Sequence, residues 1–225
     1  MNIRVLIFII CVAIGASSCK HSDVAPVKSN TTVGNLNMVN ATNNVLNLYQ
    51  NGNRVNNASV INPGSVSGYL PVAYGTQKYQ LKIAGETNPN YLFDAVELTL
   101  DTLKTYSLFA VGETSDKLFL KEDVISSAIP QTQAAIRFVN TLPGTTNLDV
   151  KIEALNYTNV SFTTATDFTG IAPGPTTIKV YQAGSSTPDI NETFTLVAGT
   201  IYTVFTTGTL AGTGTDKLTV KLSIN

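Results

Sequence analysis

Gly75-Thr-Gln-Lys-Tyr-Gln-Leu-Lys-Ile-Ala-Gly85 and Gly174-Pro-Thr-Thr-Ile-Lys-Val-Tyr-Gln-Ala-Gly184 align without a gap. The likeness spreads outward from them. Upstream, Met38-Val39-Asn40 returns as Phe138-Val139-Asn140, and Leu46-Asn47-Leu48 as Leu148-Asp149-Val150. Downstream, Leu98-Thr99-Leu100 and Tyr106 return as Phe194-Thr195-Leu196 and Tyr202, and Asp116-Lys117-Leu118 as Asp216-Lys217-Leu218. The offsets stay between 96 and 102 residues, which marks a duplication. One copy occupies residues 34–125 and the other 134–225, with the polar, proline-broken stretch 126–133 as a linker. A unit of about 92 residues can bury a core of its own, so two tandem domains are expected.

Within each copy the apolar period is two. Leu148, Val150 and Ile152 alternate with Asp149, Lys151 and Glu153; Leu218, Val220, Leu222 and Ile224 alternate with Thr219, Lys221 and Ser223. In Ile136-Arg137-Phe138-Val139, positions 136 and 138 are expected inward and Arg137 outward, toward water. Such alternation describes antiparallel strands with one dry and one wet face. The segments are short, rich in Thr, Val, Ile and Tyr, and punctuated by Gly, Pro and Asn. Together they predict an all-β fold: two tandem Ig-like or transthyretin-like antiparallel β-sandwiches after a lipoprotein signal peptide. Leu196-Val-Ala-Gly199-Thr-Ile-Tyr202 adds a tyrosine-corner signature, with Leu six and Gly three residues before Tyr. The first copy keeps Leu100 and Tyr106 but has Leu103 where the glycine belongs, so its arch is expected to differ.

The ordered set Val-Asn, Leu-x-Leu/Val, a Gly/Pro turn before a strand ending Ala-Gly, Leu-x-x-x-x-x-Tyr and a closing Asp-Lys-Leu resembles the domain-of-unknown-function 4397 family. The resemblance covers both copies. It implies tandem repeats in a secreted or lipid-anchored bacterial protein. It carries no catalytic residue over to this chain.

The amino-terminal residues read as an address. Arg4 precedes the apolar run Val5 to Ile14, which is too short for a bilayer span of about 20 residues and fits a signal-peptide core. Gly15-Ala16-Ser17-Ser18-Cys19 resembles a bacterial lipobox, although Ala16 replaces the usual leucine. Residues 1–18 are therefore read as the signal and Cys19 as the lipidated residue. Cys11 leaves with the signal, so Cys19 is the single thiol of the mature chain and no internal disulfide forms. Two or more acyl chains anchor stably, at about 0.8 kcal/mol per buried CH₂. Residues 19–33 form a polar tether, and ~13 residues behaving as a coil span roughly 20 Å. The expected location is the cell envelope, lipid-anchored at the outer membrane, with the membrane as first partner.

Composition narrows the chemistry. Charged residues make up 13% of the chain and the net charge is -1, which argues against nucleic acid as a partner. The only histidine, His21, lies on the tether, so the folded part has no His or Cys for nucleophilic catalysis or a zinc site. Cofactors and metals are expected to be none. Two carboxylate pairs come near in sequence, Asp94 with Glu97 and Glu122 with Asp123; neighbours on a strand point to opposite faces. What remains is surface. Tyr69 and Tyr74 bracket one loop-like stretch, and Tyr91 and Tyr157 are candidate loop tyrosines for stacking on a sugar or anchoring a peptide. The sequence thus predicts a non-enzymatic envelope protein with a structural, adhesive or ligand-presenting role. A glycan- or peptide-binding module and a fimbrial-type subunit are the alternatives, with an extracellular glycan or protein as possible partner.

Overall fold

The computed structural model describes residues 33–56, 59–85, 91–144 and 146–225. The signal segment, Cys19, His21 and the tether up to residue 32 lie outside them. In the first copy, β1 (Val33–Asn40), β4 (Val66–Ala73), β7 (Thr105–Ala110) and β8 (Leu118–Glu122) make a sheet ordered β4-β1-β7-β8. Its partner sheet, ordered β3-β2-β5-β6, contains β2 (Leu46–Gln50), β3 (Asn53–Arg54), β5 (Gly75–Ile83) and β6 (Val96–Leu100). The second copy repeats this plan. Its β9 (Ala134–Val139), β12 (Thr169–Ile171), β15 (Ile201–Thr207) and β16 (Thr219–Ile224) form a sheet ordered β12-β9-β15-β16. The facing sheet, ordered β11-β10-β13-β14, holds β10 (Leu148–Ile152), β11 (Leu155–Val160), β13 (Gly174–Gln182) and β14 (Ile190–Leu196).

One feature departs from the expected antiparallel pattern. β1 pairs with β7 in parallel, and β9 with β15 likewise, while the other strand pairs are antiparallel. After β1 the chain crosses to the other sheet, comes back as β4 antiparallel on one edge of β1, crosses again through β5 and β6, and returns on the other edge at β7. It therefore re-enters beside β1 in the same direction.

Each copy fills its sandwich from the alternating faces. Leu36, Met38, Leu48, Leu81 and Leu108 meet inside the first; Ile136, Phe138, Val150, Val180 and Val204 meet inside the second. The recurrent Val-Asn element has a definite job. Asn40 Nδ2 donates to the Ile61 carbonyl and its Oδ1 accepts from Thr42 N–H; Asn140 does the same with Val160 and Leu142. This buried amide ties the end of β1 or β9 to the facing sheet. Both tyrosine corners form, with Asp101 N–H donating to Tyr106 Oη at 3.2 Å and Val197 N–H to Tyr202 Oη at 3.0 Å. The first arch differs less than its sequence suggests, because Leu103 adopts φ +65°, close to the +71° of Gly199.

A third apolar cluster lies between the copies. Val39, Ala41, Phe109 and Val111 of the first pack with Val139 and Phe205 of the second. Phe119 stacks on Phe109 at 5.1 Å and takes Phe162 edge-on at 6.1 Å. The β1 and β9 sheets thus meet through their far faces, giving four stacked layers. The two sandwiches also share their ends. At the basal end β1 and β9 begin, β8 and β16 finish, and residues 124–133 cross between copies; at the apical end Asn43 Nδ2 donates to Asp216 Oδ1 at 3.2 Å.

Candidate functional site

The strongest polar constellation is the buried junction between the sandwiches. Arg137 Nη2 donates to Asp123 Oδ1 at 2.5 Å, with 2% and 0% of the two side chains exposed. Asp123 Oδ2 also accepts from Tyr69 Oη at 2.6 Å and Ser107 Oγ at 2.8 Å. Arg137 Nε donates to Thr203 Oγ1, whose hydroxyl donates to Asn225 Oδ1. The guanidinium carbon sits 4.4 Å from the Phe168 ring centre. Burial, aided by the hydrogen bond and charge of Asp123, pushes the Tyr69 phenol up to about 12. Burial likewise lowers Lys121 from its ordinary value, with the Arg137 charge adding to the effect.

Arg137 therefore corrects the expectation of a solvated side chain. It does point away from its own sandwich core, but the first copy covers it. In β1 the corresponding residue is Asn37, wholly buried with neither side-chain nitrogen nor oxygen bonded to protein. The carboxylate pairs are not brought together for acid–base work. Glu122 pairs with exposed Lys104 while Asp123 turns into the junction, and Asp94 and Glu97 are both exposed.

The candidate binding tyrosines lie in different layers. Tyr91 packs edge-on against Tyr49 at 6.0 Å, and Lys82 Nζ lies 4.3 Å from the Tyr91 ring centre and 4.6 Å from that of Tyr49. This trio occupies the far face of the β2–β5 sheet, because Leu46, Leu48 and Leu81 take the core side. Tyr157 is not a loop residue. It sits within β11, half-buried against the second core, with Oη donating to Thr169 Oγ1 at 3.4 Å. The second copy's equivalent on the outer sheet is Tyr181, itself largely buried, with exposed Lys151 Nζ 5.5 Å from its ring centre. They border a shallow groove with Asp149, Asn156, Thr158 and Ser185.

Tyr49 and Lys82 correspond to Lys151 and Tyr181, so the two residue types exchange places between copies. In both, the partners lie diagonally across neighbouring antiparallel strands, a spacing that long side chains bridge. Comparing the copies at these aligned positions would have found both pairs from sequence. One carboxylate shapes the surroundings of the second pair. Asp149 accepts from the backbone N–H groups of Gly184 and Asn159, which hold it below its ordinary value. Among the described residues no group of three or more His, Cys, Asp or Glu is arranged to hold a metal ion.

These observations define a class: a duplicated β-sandwich joined through a buried polar junction, with a tyrosine–lysine pair on each outer sheet. The chain belongs to the family described as Domain of unknown function (DUF4397), whose model matches residues 34–151 and again 134–222. No curated protein compared with the chain matches it. Among solved structures it is similar to a family 26 carbohydrate-binding module from Eubacterium rectale Amy13K, crystallised in complex with maltoheptaose. That likeness has 11% identity and a TM-score of 0.25, over 84% of this chain and 95% of that one.

Proposed function

We propose that the protein is a non-enzymatic, lipid-anchored component of the bacterial cell envelope that presents its outer sheet faces to a glycan or protein ligand. One observation carries the reading. Both copies place a lysine beside a tyrosine ring on the outer sheet, half-buried in the first copy and with a largely buried ring in the second, and they do so with exchanged positions. Packing of the core cannot account for that, since these side chains face away from it. In the first copy the half-buried Tyr49 and Tyr91 rings beside Lys82 suit stacking on sugar rings or docking of a protein segment. The buried ion pair supports the same view, because its charged groups are enclosed in a strut between sandwiches.

Anchoring at Cys19 rests on the lipobox-like residues. Mass spectrometry of the protein extracted from native envelopes is expected to find a diacylglyceryl thioether and an acylated amine on Cys19. For the ligand, a glycan array and an envelope-extract pull-down are expected to lose signal with Tyr49→Ala plus Tyr91→Ala. Binding that survives both changes, or none to any array member at millimolar ligand, removes the tyrosine-face reading. Turnover of an envelope polymer by the purified protein would make it an enzyme instead.

A further inference from the structure

Nine large apolar residues are exposed among the described residues, and seven of them gather at the basal end. Val33 opens β1, Tyr74 joins β4 to β5, Leu103 tops the first tyrosine-corner arch, and Val124 and Ile125 follow β8. From the second copy, Val197 lies on the matching arch and Ile224 closes β16. The other two, Val60 and Leu210, lie elsewhere; Leu210 belongs to the apical loop after β15. Exposed apolar residues scattered singly need no explanation, but a cluster marks a contact surface.

Leu103 singles this surface out. Its side chain is 100% exposed, and its backbone holds φ +65°, where the second copy has glycine. A branched residue in that conformation costs roughly 1–2 kcal/mol, and no packing within the molecule offsets it. Lys104 beside it is held by Asp101 and Glu122 at 3.4 and 2.8 Å, so no free cation faces outward from this arch.

The occupant follows from the chain's course. Thirteen residues separate Cys19 from Val33, and thirteen residues reach at most about 45 Å. A lipid on Cys19 therefore keeps the basal end, where the tether joins, close to the bilayer. Resting on the anchoring reading above, we infer that the basal end is a membrane-contact surface. Leu103, Val124, Val197 and Ile224 enter the headgroup boundary of the phospholipid bilayer, and the tyrosine–lysine faces stand upright beside them. Apolar insertion of this kind adds to the acyl anchor and fixes the orientation of an otherwise tethered body.

The chain contains no tryptophan, so one introduced residue reports its own surroundings. The test uses the full lipidated protein reconstituted into phosphatidylethanolamine–phosphatidylglycerol vesicles with brominated acyl chains, as L103W, V197W and, for the apical end, L210W. Expected are a blue-shifted emission and loss of intensity for L103W and V197W, unchanged by salt, with neither for L210W. Vesicle-bound L103W and V197W that emit like L210W overturn the inference and leave the anchor intact. An unmodified Cys19 on a chain that stays free of vesicles overturns both. A blue shift without vesicles that grows with protein concentration assigns the surface to a second copy and overturns it as well.

Discussion

At the scale of single residues, the junction is most sensitive at one buried pair, Arg137 and Asp123. Removing one partner from a buried ion pair costs about 3–5 kcal/mol, because the remaining charge is left enclosed. Arg137→Met is therefore expected to destabilise the protein by that amount in denaturant titrations. Adding Asp123→Leu should recover much of the loss, since well-packed apolar replacements of both partners are often neutral. A double variant no better than the single one would mean that Asp123 is already supported by Tyr69 and Ser107. Leu103 lies at the other extreme. With its side chain fully exposed, Leu103→Gly in detergent solution removes left-handed strain and should raise stability by roughly 0.5–1 kcal/mol. An unchanged or lower unfolding midpoint would show that the arch gains rigidity from the leucine.

Among the elements, the tyrosine-corner arches join the two sheets of each sandwich. Tyr202→Phe leaves the Val197 N–H without its acceptor, at an expected cost of roughly 1–2 kcal/mol. Tyr106→Phe should cost about as much, since its hydrogen bond from Asp101 has similar length; chemical denaturation of both variants compares them directly. Much of this level was readable in the sequence. Alternation at Leu148–Ile152 and Leu218–Ile224 marks strands, and Leu-x-x-x-x-x-Tyr marks the arch, because both depend on near neighbours. The parallel β1–β7 pair was not readable, since its register depends on residues some 70 positions apart. Arg137 shows the same limit from another side. A period of two tells which side chains leave a sandwich's own core, but not whether water or a second sandwich waits beyond. For the site, Tyr91 stood out in a loop-like stretch, whereas Tyr49 and Lys82 looked like ordinary strand residues until the β2–β5 register brought them together.

For the whole molecule, the junction decides whether two sandwiches behave as one body. Thr31–Asn225 forms a single compact unit, and the interface buries aromatic rings together with the ion pair. Thermal unfolding is expected to show one transition, and two resolved transitions would mean that the copies fold independently. Tyr69 offers a way to load the junction chemically. Its phenol accepts a hydrogen bond from Asn225 of the second copy while donating to Asp123 of the first. An ordinary tyrosine loses its proton near 10, and Tyr69 keeps its own to about 12. Below pH 10 both folded and unfolded chains hold the proton, so the contribution of Tyr69 is fully present. Between pH 10 and 12 the unfolded chain releases a proton that the folded chain retains, and stability falls as pH rises. Tyr79, buried in the first core and likewise raised to about 12, adds a second loss in the same window. Tyr69→Phe should therefore be less stable than the parent below pH 10 yet lose less stability across the alkaline window, leaving the part due to Tyr79. Equal alkaline slopes for parent and variant in denaturant titrations would mean that the Tyr69 phenol is hydrated and the junction open. A phenolate formed beside Asp123 would set two negative charges against the single Arg137. Above pH 12 the junction and the first core, which holds Tyr79, should therefore weaken ahead of the second core, turning one thermal transition into two.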